Sequence, residues 1–139
     1  MQSQIIHERS AAPFLQRVIR GNALYCALAG VGLILFPGTM ASWLGISSAV
    51  FITLFGGGML LYGVLLYSRA GKDPRRWGLI ATELDLLWII GSVLLVITRW
   101  LPLTTEGLWA VALAADGVLF FFVLQLIGLR RLSAKNKSS

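Results

Sequence analysis

The chain has 139 residues, 57% hydrophobic and only 13% charged, with a net charge of +6 and a pI near 10.3. Soluble domains carry about 25% charged and 45–50% apolar residues, and one this small could not hide so much apolar surface in a single core. A single cysteine (Cys26) and a single histidine (His7) exclude an intramolecular disulfide and a Cys/His metal cluster within one chain, and argue against His-ligated haem in the bilayer and single-chain Ser-His-Asp chemistry; with no activated nucleophile, metal set or phosphate loop in the sequence, no metal, cofactor or enzymatic activity is expected.

Residues 1–13 read as a polar segment on the cytoplasmic side, a short tail or surface helix. From Phe14 the chain turns apolar and stays so to Phe36, interrupted by Arg17, Arg20 and Asn22. Pro37-Gly38 ends this first span, since proline cannot donate a helix hydrogen bond and glycine accepts the turn. Thr39 to Ile46, holding Trp43, reads as a short interfacial element. Ser47 and Ser48 offer an N-cap for a second span over 49–67. The polar stretch Ser68 to Arg76, with Gly71 and Pro74, reads as a loop. A third span covers 77–98, flanked by Trp77 and Trp100. Leu101 to Glu106 is a turn with a capping threonine, the fourth span covers 107–129, and 130–139 reads as a basic, disordered cytoplasmic tail.

Each span approaches or exceeds the ~20 apolar residues that cross about 30 Å of hydrocarbon. The expected fold is therefore an all-α, four-helix transmembrane bundle. A rival reading takes the first third as a signal peptide, with Thr39-Met40-Ala41 as the cleavage site; the length of the apolar segment and Pro37 argue against it.

Basic residues mark one side. Arg9, Arg17 and Arg20 precede or open span one; Arg69, Lys72, Arg75 and Arg76 separate spans two and three; Arg130, Arg131, Lys135 and Lys137 follow span four. The other side holds Arg99 alone. Positive residues accumulate on the cytoplasmic face, which places both termini there. These short runs between apolar blocks suit anionic headgroups; no basic face or recognition motif points to nucleic acid.

In lipid no hydrophobic force presses helices together, so small residues set how closely they approach. Span one offers Ala23, Cys26, Ala27 and Gly30; span two Gly56, Gly57, Gly58 and Gly63; span four Ala110, Ala112, Ala114, Ala115 and Gly117. Phe120, Phe121 and Phe122 cover more than half of the helix circumference, so at least one ring must face lipid or a partner.

Three carboxylates interrupt the apolar spans: Glu83, Asp85 and Asp116. An ionised carboxylate at the bilayer centre costs about 2.5–3.5 kcal/mol on insertion scales, so such groups are paired, neutral or functional. At 1.5 Å per residue, Glu83 and Asp85 lie about 9 and 12 Å past Trp77, while Arg20 and Asn22 lie at the same two depths past Phe14. Spans one and three run in the same direction, so Arg20 is expected to pair with Glu83 and Asn22 to bond Asp85. Asp85 shares a stripe with Thr82, Trp88 and Ser92. If the Asp116 face of span four meets that stripe, a small polar pocket forms. These residues are either interhelical glue or a binding or proton-relay site.

The punctuation F-P-G…W-L-G-I (Phe36 to Ile46), the glycine-rich second span and E-L-D-L-L-W (Glu83 to Trp88) resemble a broad group of bacterial four-helix membrane proteins, DoxX-like ones included. The resemblance implies a bacterial inner-membrane location and carries over no functional residues. Three functions fit the pattern. The first is an accessory, scaffold or assembly subunit, as a homo-oligomer or with a partner membrane protein. The second is a small oligomeric proton-coupled transporter or channel; it is similar to the small multidrug resistance transporters in size, span number and use of an intramembrane acid. In that group, however, the essential glutamate lies in span one, which here has no acid. The third is a lipid- or quinone-binding protein using the Asp85/Trp88 face.

Overall fold

A computed structural model describes residues 2–138, with side chains from residue 11 onward, so the side chains of His7 and Arg9 lie outside the described set. Five helices make up the described chain: α1 (Gln2–Leu35), α2 (Pro37–Trp43), α3 (Ala49–Arg69), α4 (Pro74–Thr98) and α5 (Thr105–Lys137). Four of them, all but α2, are long and apolar enough to cross a membrane. The chain is a multi-pass helical membrane bundle.

Local chemistry explains the boundaries. Phe36 separates α1 from α2, whose first residue is Pro37, where the missing N–H is not needed. The Ser48 hydroxyl accepts from the Phe51 N–H at 3.3 Å and opens α3. The Asp73 carboxylate accepts from the Arg76 N–H at 3.1 Å and opens α4, again with proline in the first turn. The loop expected to run to Arg76 therefore ends at Asp73, because Asp-Pro is a stronger helix start than Trp77. Thr104 caps α5 by accepting from the Gly107 N–H at 3.1 Å. The tail expected to be disordered is instead helical to Lys137, since Leu, Arg, Ala and Lys are good helix formers and no glycine or proline interrupts them. At the other end, α1 runs straight through Pro13.

The helices α3, α1, α5 and α4 follow one another around the bundle. The α1–α3 seam is the most extensive, α4–α5 and α1–α5 are next, and α3 and α4 barely touch. Small residues make the α1–α3 seam. A Cβ added at Gly63 would lie 2.6 Å from the Ala23 carbonyl oxygen, and one added at Gly30 would lie 2.6 Å from that of Gly56. Gly57 and Gly58 face open space, so the triple glycine contributes one contact residue, Gly56. In α5, Gly117 lies under the Tyr25 ring, and the Tyr25 hydroxyl donates to the Ala114 carbonyl at 3.1 Å. Phe121 packs inward on Tyr25 and Phe120 faces outward.

An apolar core occupies the end of the bundle nearer the chain termini: Leu15, Ile19, Ala23, Leu66, Ala70, Ala81 and Leu129. At the opposite end α2 lies across the helix ends. There Trp43 accepts at its carbonyl from the Thr104 N–H and hydroxyl, both at 3.0 Å, which ties α2 to the α4–α5 turn. Gly45, at φ 65°, lets the chain turn against Pro102.

Candidate functional site: a polar knot on Asp85

The inward face of α4 carries Gly78, Ala81, Thr82, Asp85 and Ser92, all buried. Asp85 is only 4% exposed, and Asn22 of α1 and Gln125 of α5 are fully buried beside it. The Asn22 amide donates to Asp85 Oδ2 at 2.8 Å, and the Gln125 amide donates to the same oxygen at 3.0 Å. The Thr82 hydroxyl lies 3.1 Å from Gln125 Oε1 and 2.7 Å from the Gly78 carbonyl, sharing its one proton between two acceptors. On the far side the Cys26 thiol donates to Asn22 Oδ1 at 3.7 Å. A continuous chain of polar groups therefore joins α1, α4 and α5. Both amides use a donor on the carboxylate and an acceptor on a neighbour, so the groups satisfy one another where water cannot.

Asn22 meets Asp85, as matched depth in parallel spans requires. Arg20 does not meet Glu83. The Arg20 guanidinium lies over the Tyr67 ring, 5.4 Å from its centroid, while Glu83 is exposed. The reason is azimuth. Arg20 precedes Asn22 by two residues and Glu83 precedes Asp85 by two, and residues two apart on a helix project about 200° from one another. Once Asn22 and Asp85 face inward, Arg20 and Glu83 must both face out. The two expected pairings exclude each other.

Asp116 likewise stays away from the Asp85 stripe. It is exposed on the outer face of α5, and Gln125 takes the place expected for it. Gln125 was missed because an uncharged amide does not stand out by charge. It is nevertheless a strongly polar residue in an apolar run, and that signal was available. Trp88 belongs to a different feature. It stacks on Phe55, with centroids 5.8 Å apart and planes at 20°, and its buried indole N–H has no hydrogen-bond partner among the described residues.

Trp88 and Ser92 line a cavity of about 540 Å³ in the half of the bundle nearer α2, with Phe36, Trp43, Phe55 and Leu95 among its other walls. It lies where α3 and α4 part company. Its walls are almost wholly apolar, and the Trp88 N–H has no acceptor among the described residues. Among the described residues no group of three or more His, Cys, Asp or Glu side chains could hold a metal ion. Neither a family model, nor a curated protein, nor a solved structure matches the chain.

Proposed function

We propose that this is a non-enzymatic accessory or scaffold protein of the bacterial inner membrane, with both termini in the cytoplasm. The distribution of basic residues supports the orientation, and the resemblance in Gly/Pro punctuation supports the location. One observation carries the functional reading: the three intramembrane acids divide by role. Asp85 is turned inward and taken up by two amides that knit three helices, while Glu83 and Asp116 are turned outward, toward whatever surrounds the bundle. A proton relay needs acids that can hand a proton from one to the next, and here the buried Asp85 is separated from Glu83 and Asp116, which face outward from different helices. Purification in mild detergent with mass spectrometry of the co-purifying species tests the reading. A stoichiometric protein assembly that survives Glu83→Gln, Asp85→Asn and Asp116→Asn is expected. Proton-coupled flux in vesicles that disappears with those substitutions would contradict it.

The cavity favours a second reading, an uncharged lipophile as ligand. A largely hydrocarbon wall with one unpartnered N–H suits a molecule such as a quinone, whose carbonyl could accept from Trp88. Trp88→Phe keeps the ring and removes the donor. Under this reading it lowers the occupancy of a co-purified lipophile; unchanged occupancy would dismiss the Trp88 contact.

A further inference from the structure

The serines and threonines of α3 and α4 are not held alike. Thr53 donates to the Ala49 carbonyl, Ser68 to that of Leu65, Thr82 to that of Gly78 and Thr98 to that of Leu94, at 2.7–3.1 Å. Bonding back to the preceding turn satisfies a hydroxyl where no water reaches it. Ser92 makes no such bond, nor any other among the described residues. It is only 8% exposed, and it lines the apolar cavity. The Trp88 N–H, one turn earlier on α4, is covered by its neighbours, whereas the Ser92 hydroxyl opens on the cavity. Ser92 is therefore the polar group that an occupant of the cavity meets first.

An unsatisfied hydroxyl in an apolar chamber selects what enters. A pure hydrocarbon leaves it without an acceptor. A phosphate or ammonium head fails for the opposite reason: none of the described side chains lining the cavity is charged, so such a head sheds its water and meets no counter-charge. Ser92 also lies about 9 Å inside the end of α4 at Thr98, below the headgroup layer. A neutral carbonyl meets both conditions, because its oxygen accepts from the hydroxyl and brings no charge to desolvate. The cavity, about 540 Å³, falls in the range of about 300–1,000 Å³ that encloses a drug-sized molecule. A ring head and the start of a tail fit inside, and the rest of the tail leaves between α3 and α4, which barely touch.

We propose that Ser92 is the recognition residue of this cavity and that its ligand is a neutral lipid with a carbonyl head, whose oxygen accepts from the Ser92 hydroxyl. This rests on the second reading above, that the cavity takes a lipophile, and moves the deciding polar contact from Trp88 to Ser92.

Photolabelling of the full chain in phosphatidylcholine bilayers tests it. The probe is a benzophenone carrying a decyl tail, a neutral carbonyl lipid that couples to its neighbours when illuminated. The competitor is the matching diphenylmethane, which has the same rings and tail but no carbonyl. Saturable labelling of the cavity walls is expected, with half-saturation raised about three- to tenfold by Ser92→Ala, the share of one hydrogen bond. The unlabelled benzophenone should displace the probe from the native chain better than the diphenylmethane by a similar factor, and the two should become equal on Ser92→Ala. That substitution removes no bond within the chain, so the thermal melt without probe should stay where it is. A lower melt, an unchanged half-saturation, or an equal loss of affinity for both competitors overturns the proposal. Labelling that is weakened by Trp88→Phe and indifferent to Ser92→Ala also overturns it while leaving the lipophile reading standing. Absence of any saturable labelling of the cavity walls removes both.

Discussion

At the end of the bundle nearer the termini, α1, α4 and α5 converge on Asp85, with Leu15, Ile19 and Leu129 packed above it. At the end closed by α2, α3 and α4 separate around an apolar cavity. Glycines register the contrast. A Cβ at Gly78 would press on Leu15 and Leu129, whereas Gly32 and Gly91, on the cavity wall, have nothing within 4 Å; the α1–α3 seam alone stays tight through both halves, with Gly63 against Ala23 and Gly30 against Gly56. Helices in lipid gain nothing from hiding apolar surface, so where hydrogen bonds and backbone contact hold them they close up. Where only apolar side chains meet, a gap costs little beyond lost dispersion contacts.

The largest expected effect breaks the tight half. Gly63→Leu forces a side chain into the Ala23 and Ala27 backbone, and a loss of about 3 kcal/mol, the upper part of the overpacking range, is expected in unfolding from bilayers. Next comes the knot. Asp85→Leu leaves the Asn22 and Gln125 amides buried without an acceptor and should cost about 1–3 kcal/mol; Asp85→Asn, which retains an acceptor, should cost less than half as much. Interhelical hydrogen bonds in membranes average about 0.6 kcal/mol, so a loss as small as that for Asp85→Leu would mean that the freed amides find other partners. The smallest effect belongs to the open half. Gly91→Leu should change stability by less than about 0.5 kcal/mol, because it extends into free space. It should also reduce the uptake of any lipophile by the cavity. A destabilisation equal to that of Gly63→Leu would show the two halves to be equally packed.

The span pattern, a serine cap at 47–48, a threonine cap in the 101–106 turn and the Asn22–Asp85 contact were all legible in the sequence, because each depends on spacing along one helix or on equal depth in parallel helices; the structure singles out Ser48 and Thr104 as the caps. What depth cannot supply is direction. Arg20 and Glu83 match in depth as well as Asn22 and Asp85 do, yet rotation of each helix carries them outward. Gln125 escaped because charge drew attention to Asp116 on the same helix, and which of the two polar residues of α5 faces Asp85 is again a matter of direction. The cavity was not legible at all. It arises from how far α3 and α4 diverge, a property of crossing geometry and not of any one residue's identity.

The central claim is that Asp85 serves as an interhelical fastener, valued for the amides it satisfies and not for its charge. The direct measurement is the unfolding free energy in bilayers of Asp85→Leu against the triple variant Asn22→Leu, Asp85→Leu, Gln125→Leu. Removing all three polar groups leaves only the weak Cys26 thiol donor without its acceptor, while Thr82 keeps the Gly78 carbonyl, so the triple variant should recover most of the stability that the single variant loses. A triple variant less stable than Asp85→Leu by the sum of its further substitutions would contradict the account.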